Sequence, residues 1–331
     1  MRFREKFAAL VGAESSLYLS HAFIARSCWR QFRRSLPFTS RGRLSGAVGE
    51  RQGVVIVWAA GVERGELWSH RCSWEDLLLP TVVDSGRRDL DQREGWTRRW
   101  TATWRYAGGE VVSPVANLAE VPIAGRGAMR WFSWRRAQRH RPGLEYLVST
   151  GRMHGCESLE EARLLVVLDF AADLVDVLSQ PLKLRFRTMN GWREHTPDFL
   201  AVTRAGVCLI DVRPVDLIKD EDRESFAAAA EAALVSGWNY VVAAEWRPHV
   251  LMTIGELSAQ RRPLSDPLDV QPGLLAQAAE RRTFGELAAG SACEPVARAH
   301  LLHLLWNRRL GVDLRHRLED CSPVAAGKQA A

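Results

Sequence analysis

The sequence predicts a mixed α/β protein, and three observations carry that expectation. The run ESLEEARLLVVLDF sets Leu164, Leu165 and Leu168 at helical spacing, one buried side of a helix opened by Ser158. Beyond it, LKLRFR alternates Leu182, Leu184 and Phe186 against Lys183, Arg185 and Arg187, and HTPDFLAV and VCLIDVRP follow as second and third strands. Toward the C-terminus, PGLLAQAAERR, TFGELAAG and EPVARAHLLHLLWNRR read as three short helices. At roughly 150 residues per domain, the 331 residues and 47% hydrophobic content leave ample material for a buried core.

Taken in order, residues 1–53 form a basic arm followed by a linker, SRGRLSGAVGERQG. Residues 54–140 read as a β-rich, Trp- and Arg-rich domain opening on the strand VVIVW. In RWTATWRY, period two places Trp100, Ala102, Trp104 and Tyr106 on one face, which is expected to be core. Arg99, Thr101, Thr103 and Arg105 lie on the other. Gly108-Gly109 supplies a hairpin turn into EVVSPV. The densest basic run, Arg130, Arg135, Arg136, Arg139 and Arg141, comes next and suits DNA phosphates, because each neutralised phosphate releases counterions. Read instead as a solvated linker, it has no such role.

Residues 141–263 hold the helix and strands above, with turns at Asn190-Gly191 and Gly206, and the alanine run Ala227–Ala230 fits a further helix. Residues 264–331 hold the three short helices, the second opened by the capping box Thr283-x-x-Glu286. A two-stranded wing is expected in LGVDLRHRLEDCSPVA. His300, His303 and Cys293 lack a fourth partner and are not read as a metal site.

Charge separates these regions. The net charge of +6 resolves into 24 basic and 14 acidic side chains over residues 1–150, but 11 basic and 16 acidic over residues 151–250. Only four of the 45 cations are lysine, so nearly every positive charge is a planar guanidinium fork suited to phosphate and unable to act as a base. No apolar run approaches the ~18–20 residues of a membrane span. The N-terminus makes a poor secretory signal, so a cytoplasmic protein with no membrane partner is expected. The six cysteines form no CxxC pair, which sets aside zinc knuckles and redox motifs.

The chemistry concentrates in residues 157–213. Glu161 lies in the first helical turn, and Asp211 and Arg213, two apart on one strand, are expected to share a face. Asp198 stands thirteen residues before Asp211. Three hard carboxylates are the ligand type Mg²⁺ prefers, with Mn²⁺ able to substitute, and Arg213 would then point at whatever the metal holds. Such a site binds a phosphodiester, polarises its phosphoryl oxygen and lowers the pKa of a bound water for in-line attack. Glu161 also completes a capping box with Ser158, which would give it a purely structural job; Glu160 is the fallback acid. His195 is expected to pack or hydrogen-bond, Gln180-Pro181 to enter a strand, and Lys183 is a candidate displaced lysine.

PDF, then D-x-R, preceded by a helical glutamate, resembles the PD-(D/E)xK nucleases, with arginine in the lysine position. More narrowly, SLEE, LDF, QPLKLRF, HTPDF and LIDVRP in that order resemble the TnsA endonuclease subunit of heteromeric transposases. The matching motifs run from about Arg130, through HRPG and STGR, to GELSAQRRP near Pro263. That resemblance implies a restriction-endonuclease-like core over 141–263 and a winged-helix-like domain over 264–331. It also implies a Mg²⁺-dependent endonuclease that nicks one strand, at the 5′ ends, of double-stranded DNA at transposon ends. A TnsB-like transposase and a TnsC-like ATPase regulator would be its partners.

By the same resemblance Asp198 falls on the family's PDF acid, Glu161 on its helical glutamate, and Asp211 on a position that better-known members fill with glutamine. Arg213 departs from the pattern: an arginine stabilises charge but does not deprotonate. Two other expectations stay open, a catalytically silent DNA-binding scaffold of the same complex and a stand-alone restriction or repair nuclease.

Overall fold

The computed structural model describes residues 65–81, 84–130, 142–171 and 173–327, all within one compact unit that starts at Gly53. The predicted arm and linker, the strand VVIVW, and Arg135, Arg136, Arg139 and Arg141 lie outside the described residues. The chain is mixed α/β with several antiparallel sheets, as expected.

Between residues 65 and 125 there is less strand than the sequence suggested. Short 3-10 helices (Glu75–Leu77, Asp84–Asp89, Val115–Glu120) and one helical turn, α1 (Trp96–Arg99), surround a single hairpin, β1 (Thr101–Tyr106) and β2 (Gly109–Pro114). The reason is that Leu67, Trp74, Leu77 and Leu78 enter the core one or two at a time from irregular backbone, without a strand's alternation. Within the hairpin the alternation holds through Trp104, since Trp100, Ala102 and Trp104 are fully buried, whereas Tyr106, also expected in the core, is only partly buried at the strand end. β3 (Arg126–Gly127) adds a short pairing to β1.

The next elements are β4 (Gly143–Leu147), β5 (Arg152–Cys156), α2 (Leu159–Ala171), β6 (Leu174–Ser179), β7 (Lys183–Thr188), β8 (Gly191–His195), β9 (Phe199–Thr203) and β10 (Gly206–Val212). They continue through α3 (Asp220–Val235), β11 (Asn239–Ala243) and α4 (Val250–Ser258). Asn190-Gly191 closes the β7–β8 hairpin, with Gly191 at φ 135°, a value that favours glycine.

Two sheets matter for the site. In the first, β2, β1, β7 and β8 lie side by side and antiparallel, so the Trp-rich hairpin pairs directly with a strand from beyond residue 141. The second runs β11-β10-β9-β6, with β10 and β11 parallel and the other pairs antiparallel. Thr196 and Pro197 carry the chain from one sheet to the other.

The second sheet is buried on both faces. Phe199, Ala201, Cys208, Ile210, Val241 and Ala243 join the core formed with α2, α4 and the C-terminal helices. The alternate residues Leu200, Leu209, Tyr240 and Val242 join the core formed with the first sheet and α3. A sheet covered on both sides needs apolar side chains at successive positions, which is why VCLI and YVVA carry no polar alternation.

The C-terminal segment comprises α5 (Val270–Ala278), α6 (Phe284–Ala289) and α7 (Glu294–Trp306), then a two-residue ladder between β12 (Leu310–Gly311) and β13 (Ala325–Ala326). The Thr283 capping box forms, with Thr283 Oγ1 accepting from the Glu286 amide at 3.3 Å and Glu286 accepting from the Thr283 amide at 2.8 Å. α7 buries Leu301, Leu304, Leu305 and Trp306, the last tilted against Phe170 of α2 with ring centroids 5.3 Å apart. That core is continuous across residue 263. His300 is held by Gln271 at 3.2 Å and His303 by the Gln260 carbonyl at 2.8 Å. No described helix is long and apolar enough to cross a membrane.

Candidate active site

The register of the second sheet brings the two aspartates together. Ile210 pairs with Phe199, so one further step sets Asp211 opposite Asp198. Both then lie on the face that carries Leu200 and Leu209, because side chains alternate along a strand. The Val212 amide donates to Asp198 Oδ2 at 2.8 Å and locks the junction. On the other side Ser179 pairs with Phe199, and the Gln180 amide donates to the Asp198 carbonyl at 2.6 Å. Asp198 thus sits between Gln180 and Asp211.

Asp211 is buried and well partnered. His195 Nε2 lies 2.9 and 3.1 Å from its two carboxylate oxygens, and the Tyr240 hydroxyl donates to Oδ2 at 2.6 Å. Burial, then the Asp211 charge, pushes Tyr240 well above the usual phenol range, which keeps it a donor. Sequence reasoning missed Tyr240. Its signal was faint: it is the one side chain with a polar tip in YVVA, an otherwise apolar strand on the sheet that carries the acids.

Glu161, buried in the first turn of α2, is held as a cap. Its carboxylate accepts from the Glu157 amide at 2.8 Å and the Ser158 hydroxyl at 2.9 Å, while its own amide donates to Ser158 Oγ at 3.2 Å. Burial raises its pKa, and the Glu157 carboxylate adds to the rise. Glu160 turns outward to Arg163.

Electrostatics nonetheless tie the acids into one group. The pKa of Asp198 is raised well above the usual carboxylate range, first by burial, then by Asp211 and then by Glu161, with the Val212 amide opposing. Although Asp198 keeps some exposure to solvent, packed protein surrounds most of it. Arg130, exposed and predicted for DNA, pairs at 2.6 Å with Glu157 and lies close enough to lower the Glu161 pKa, so it belongs to the rim of this cluster.

Arg213 does not face the acids, contrary to the expectation from strand spacing. Its Nε donates to the Leu217 carbonyl at 3.2 Å and lies 3.4 Å from Asp222 at the start of α3. β10 ends at Val212 and Pro214 turns the chain, so period-two alternation no longer governs residue 213. Lys183 is also elsewhere, paired at 3.3 Å with Glu194 on the first sheet.

Gln180 is a further departure. It has φ 47°, unusual for a residue before proline, and is buried with no hydrogen-bond partner at either carboxamide atom.

Among the described residues, no three His, Cys, Asp or Glu side chains stand close enough together to enclose an ion as they lie. The donor chemistry still suits one: these are hard carboxylate oxygens, and burial first, then the charges of Asp211 and Glu161, raises the Asp198 pKa, a pressure that a divalent cation would relieve. Asp198, Asp211 and Glu161 are the residues that would hold it. No family model matches this chain, and no curated protein matches it.

Proposed function

We propose that the chain is a metal-dependent DNA endonuclease of the TnsA kind, nicking one strand, at the 5′ ends, of transposon-end duplex DNA beside a TnsB-like transposase and under a TnsC-like ATPase. The observation that carries the reading is the strand register that sets Asp198 opposite Asp211, where burial and the neighbouring Asp211 and Glu161 charges raise the Asp198 pKa. Buried carboxylates gathered at the junction of two strands and a helix N-terminus are costly to a fold and useful to a hydrolase. A restriction-endonuclease-like core fits the helix followed by a strand-flanked acid pair, and a winged-helix-like module fits α5–α7 with the β12–β13 ladder.

In this reading Mg²⁺ or Mn²⁺ supplies Lewis acidity and an acidified water. The chain's own residues do the rest. Asp198 and Asp211 would provide oxygen ligands, His195 and Tyr240 hold Asp211 in place, and Glu161 would join only by giving up its cap hydrogen bonds. The test is a nicking assay with transposon-end DNA, Mg²⁺ and the partner transposase. Nicking is expected from the native chain and lost in Asp198→Asn; undiminished nicking by that variant would sink the proposal.

A second reading, a catalytically silent scaffold of the same complex, is favoured by Arg213 facing Asp222 and by Glu161 serving as a cap. It predicts that Asp211→Ala leaves transposition intact.

A further inference from the structure

The outward face of the first sheet is not explained by the site. Lys183, Arg185 and Arg187 of β7 point away from the core, as do Trp192 of β8 and Arg105 of β1, because their neighbours Leu184, Phe186 and Trp104 point inward. Trp192 is 42% exposed, an unusual position for an indole. Arg185 lies 4.5 Å and Arg187 5.9 Å from its ring centroid.

Arg185 is the most distinctive of these cations. Its cross-strand neighbour is Glu194, yet Glu194 pairs with Lys183, and Arg185 stacks on Trp192 with no ion-pair partner among the described residues. A guanidinium stacked on an aromatic face keeps its N–H edge free and pre-oriented, the geometry that binds phosphate in a bidentate manner. Along β7 the three cations recur every second residue, about 6.8 Å apart on a rigid strand. Four outward cations on these strands face three carboxylates, Glu110, Glu194 and, beside Arg187, Asp91. At the end of the face the buried Asp91 is shared by Arg93, Arg99 and Arg187, a further excess of positive charge.

We infer that this face is a docking surface for duplex DNA, with Arg185 and Arg187 on backbone phosphates and Trp192 holding the guanidiniums in place. Charge complementarity selects the occupant. The chain's own first 53 residues carry ten cations and three carboxylates and would be repelled. An acidic peptide supplies mobile single charges, where the fixed forks suit the regular phosphates of a duplex. Docking here does not depend on the carboxylates being catalytic.

The test uses the full chain in EDTA and fluorescence anisotropy on a labelled 30-base-pair duplex. Arg185→Glu with Arg187→Glu is expected to weaken binding about tenfold or more and to flatten the salt dependence by about 0.9 in slope for each phosphate that is no longer neutralised. Trp192→Ala is expected to weaken binding several-fold. Arg185→Gln with Arg187→Gln repeats the test without charge reversal, and circular dichroism verifies the fold of each variant. Unchanged affinity in both double variants overturns the inference, as does polyglutamate displacing the duplex at equal charge concentration. Failure of the native chain to nick DNA in Mg²⁺ would overturn the nuclease reading and leave this one standing.

Discussion

Tyr240→Phe isolates one bond at the heart of the site. The substitution removes a hydroxyl and leaves the ring, so no cavity opens and the change is confined to the 2.6 Å donation to Asp211. Both residues are almost completely buried, so no water replaces the missing donor. A hydrogen bond to a charged acceptor contributes roughly 1.5–3 kcal/mol. His195 still reaches both oxygens of Asp211, which places the loss in the lower part of that range. The expected cost is about 1.5–2 kcal/mol, or roughly 3–8 °C in Tm. Urea unfolding of four proteins measures it: the native chain, Tyr240→Phe, Asp211→Ala and the double variant. With Asp211 gone the hydroxyl is an orphaned polar group, so Tyr240→Phe should then be neutral or stabilising. An equal cost in both backgrounds would show that the hydroxyl acts on something other than Asp211, contrary to the hydrogen bonding described above.

Four other outcomes follow from the same geometry. Asp198→Asn should raise stability at neutral pH: a folded-state pKa raised above the unfolded value gives stability that is present at low pH and lost as pH climbs through the folded pKa. The amide escapes that loss, so the Tm advantage should vanish below the usual carboxylate range, and an advantage constant from pH 3 to pH 8 would contradict the assignment. Ser158→Ala should cost about 1 kcal/mol of stability as a lost helix cap, read by urea unfolding, while Glu161→Gln should abolish nicking if that carboxylate is a ligand and spare it if it only caps. Gln180→Leu removes two unpartnered buried polar atoms and should stabilise the chain by about 1–3 kcal/mol; a thermal melt showing destabilisation would mean that the carboxamide is satisfied in solution.

Much of the site was legible in the residues. Asp198 and Asp211 could be placed together because strand alternation and a short hairpin are local rules, and the Ser158 cap could be read for the same reason. What escaped depends on where elements end and which strands meet. Arg213 was assigned to the acid face because alternation was carried past Val212, where the strand stops. The strand Leu174–Ser179 went unrecognised because its apolar residues run on from those of α2, and periodicity cannot separate a buried helix from a buried strand that follows it closely. Tyr240 lies 29 residues beyond Asp211 and reaches it through a parallel pairing on the far side of α3, a pairing that no local pattern encodes.

The β7–β8 hairpin joins the buried acids to the cationic face and also allows the two to be separated. Its inward residues serve the site: His195 touches Asp211, and Arg193 pairs with Glu224 of α3. Its outward residues, Arg185, Arg187 and Trp192, form the cationic face. Alternation on a strand puts these sets on opposite sides of one backbone, so a substitution on either side leaves the other side's partners unchanged. If the outer face holds DNA and the inner one positions an acid, outer variants should change affinity and salt dependence while Asp211 keeps its bonds. A change at His195 should do the reverse.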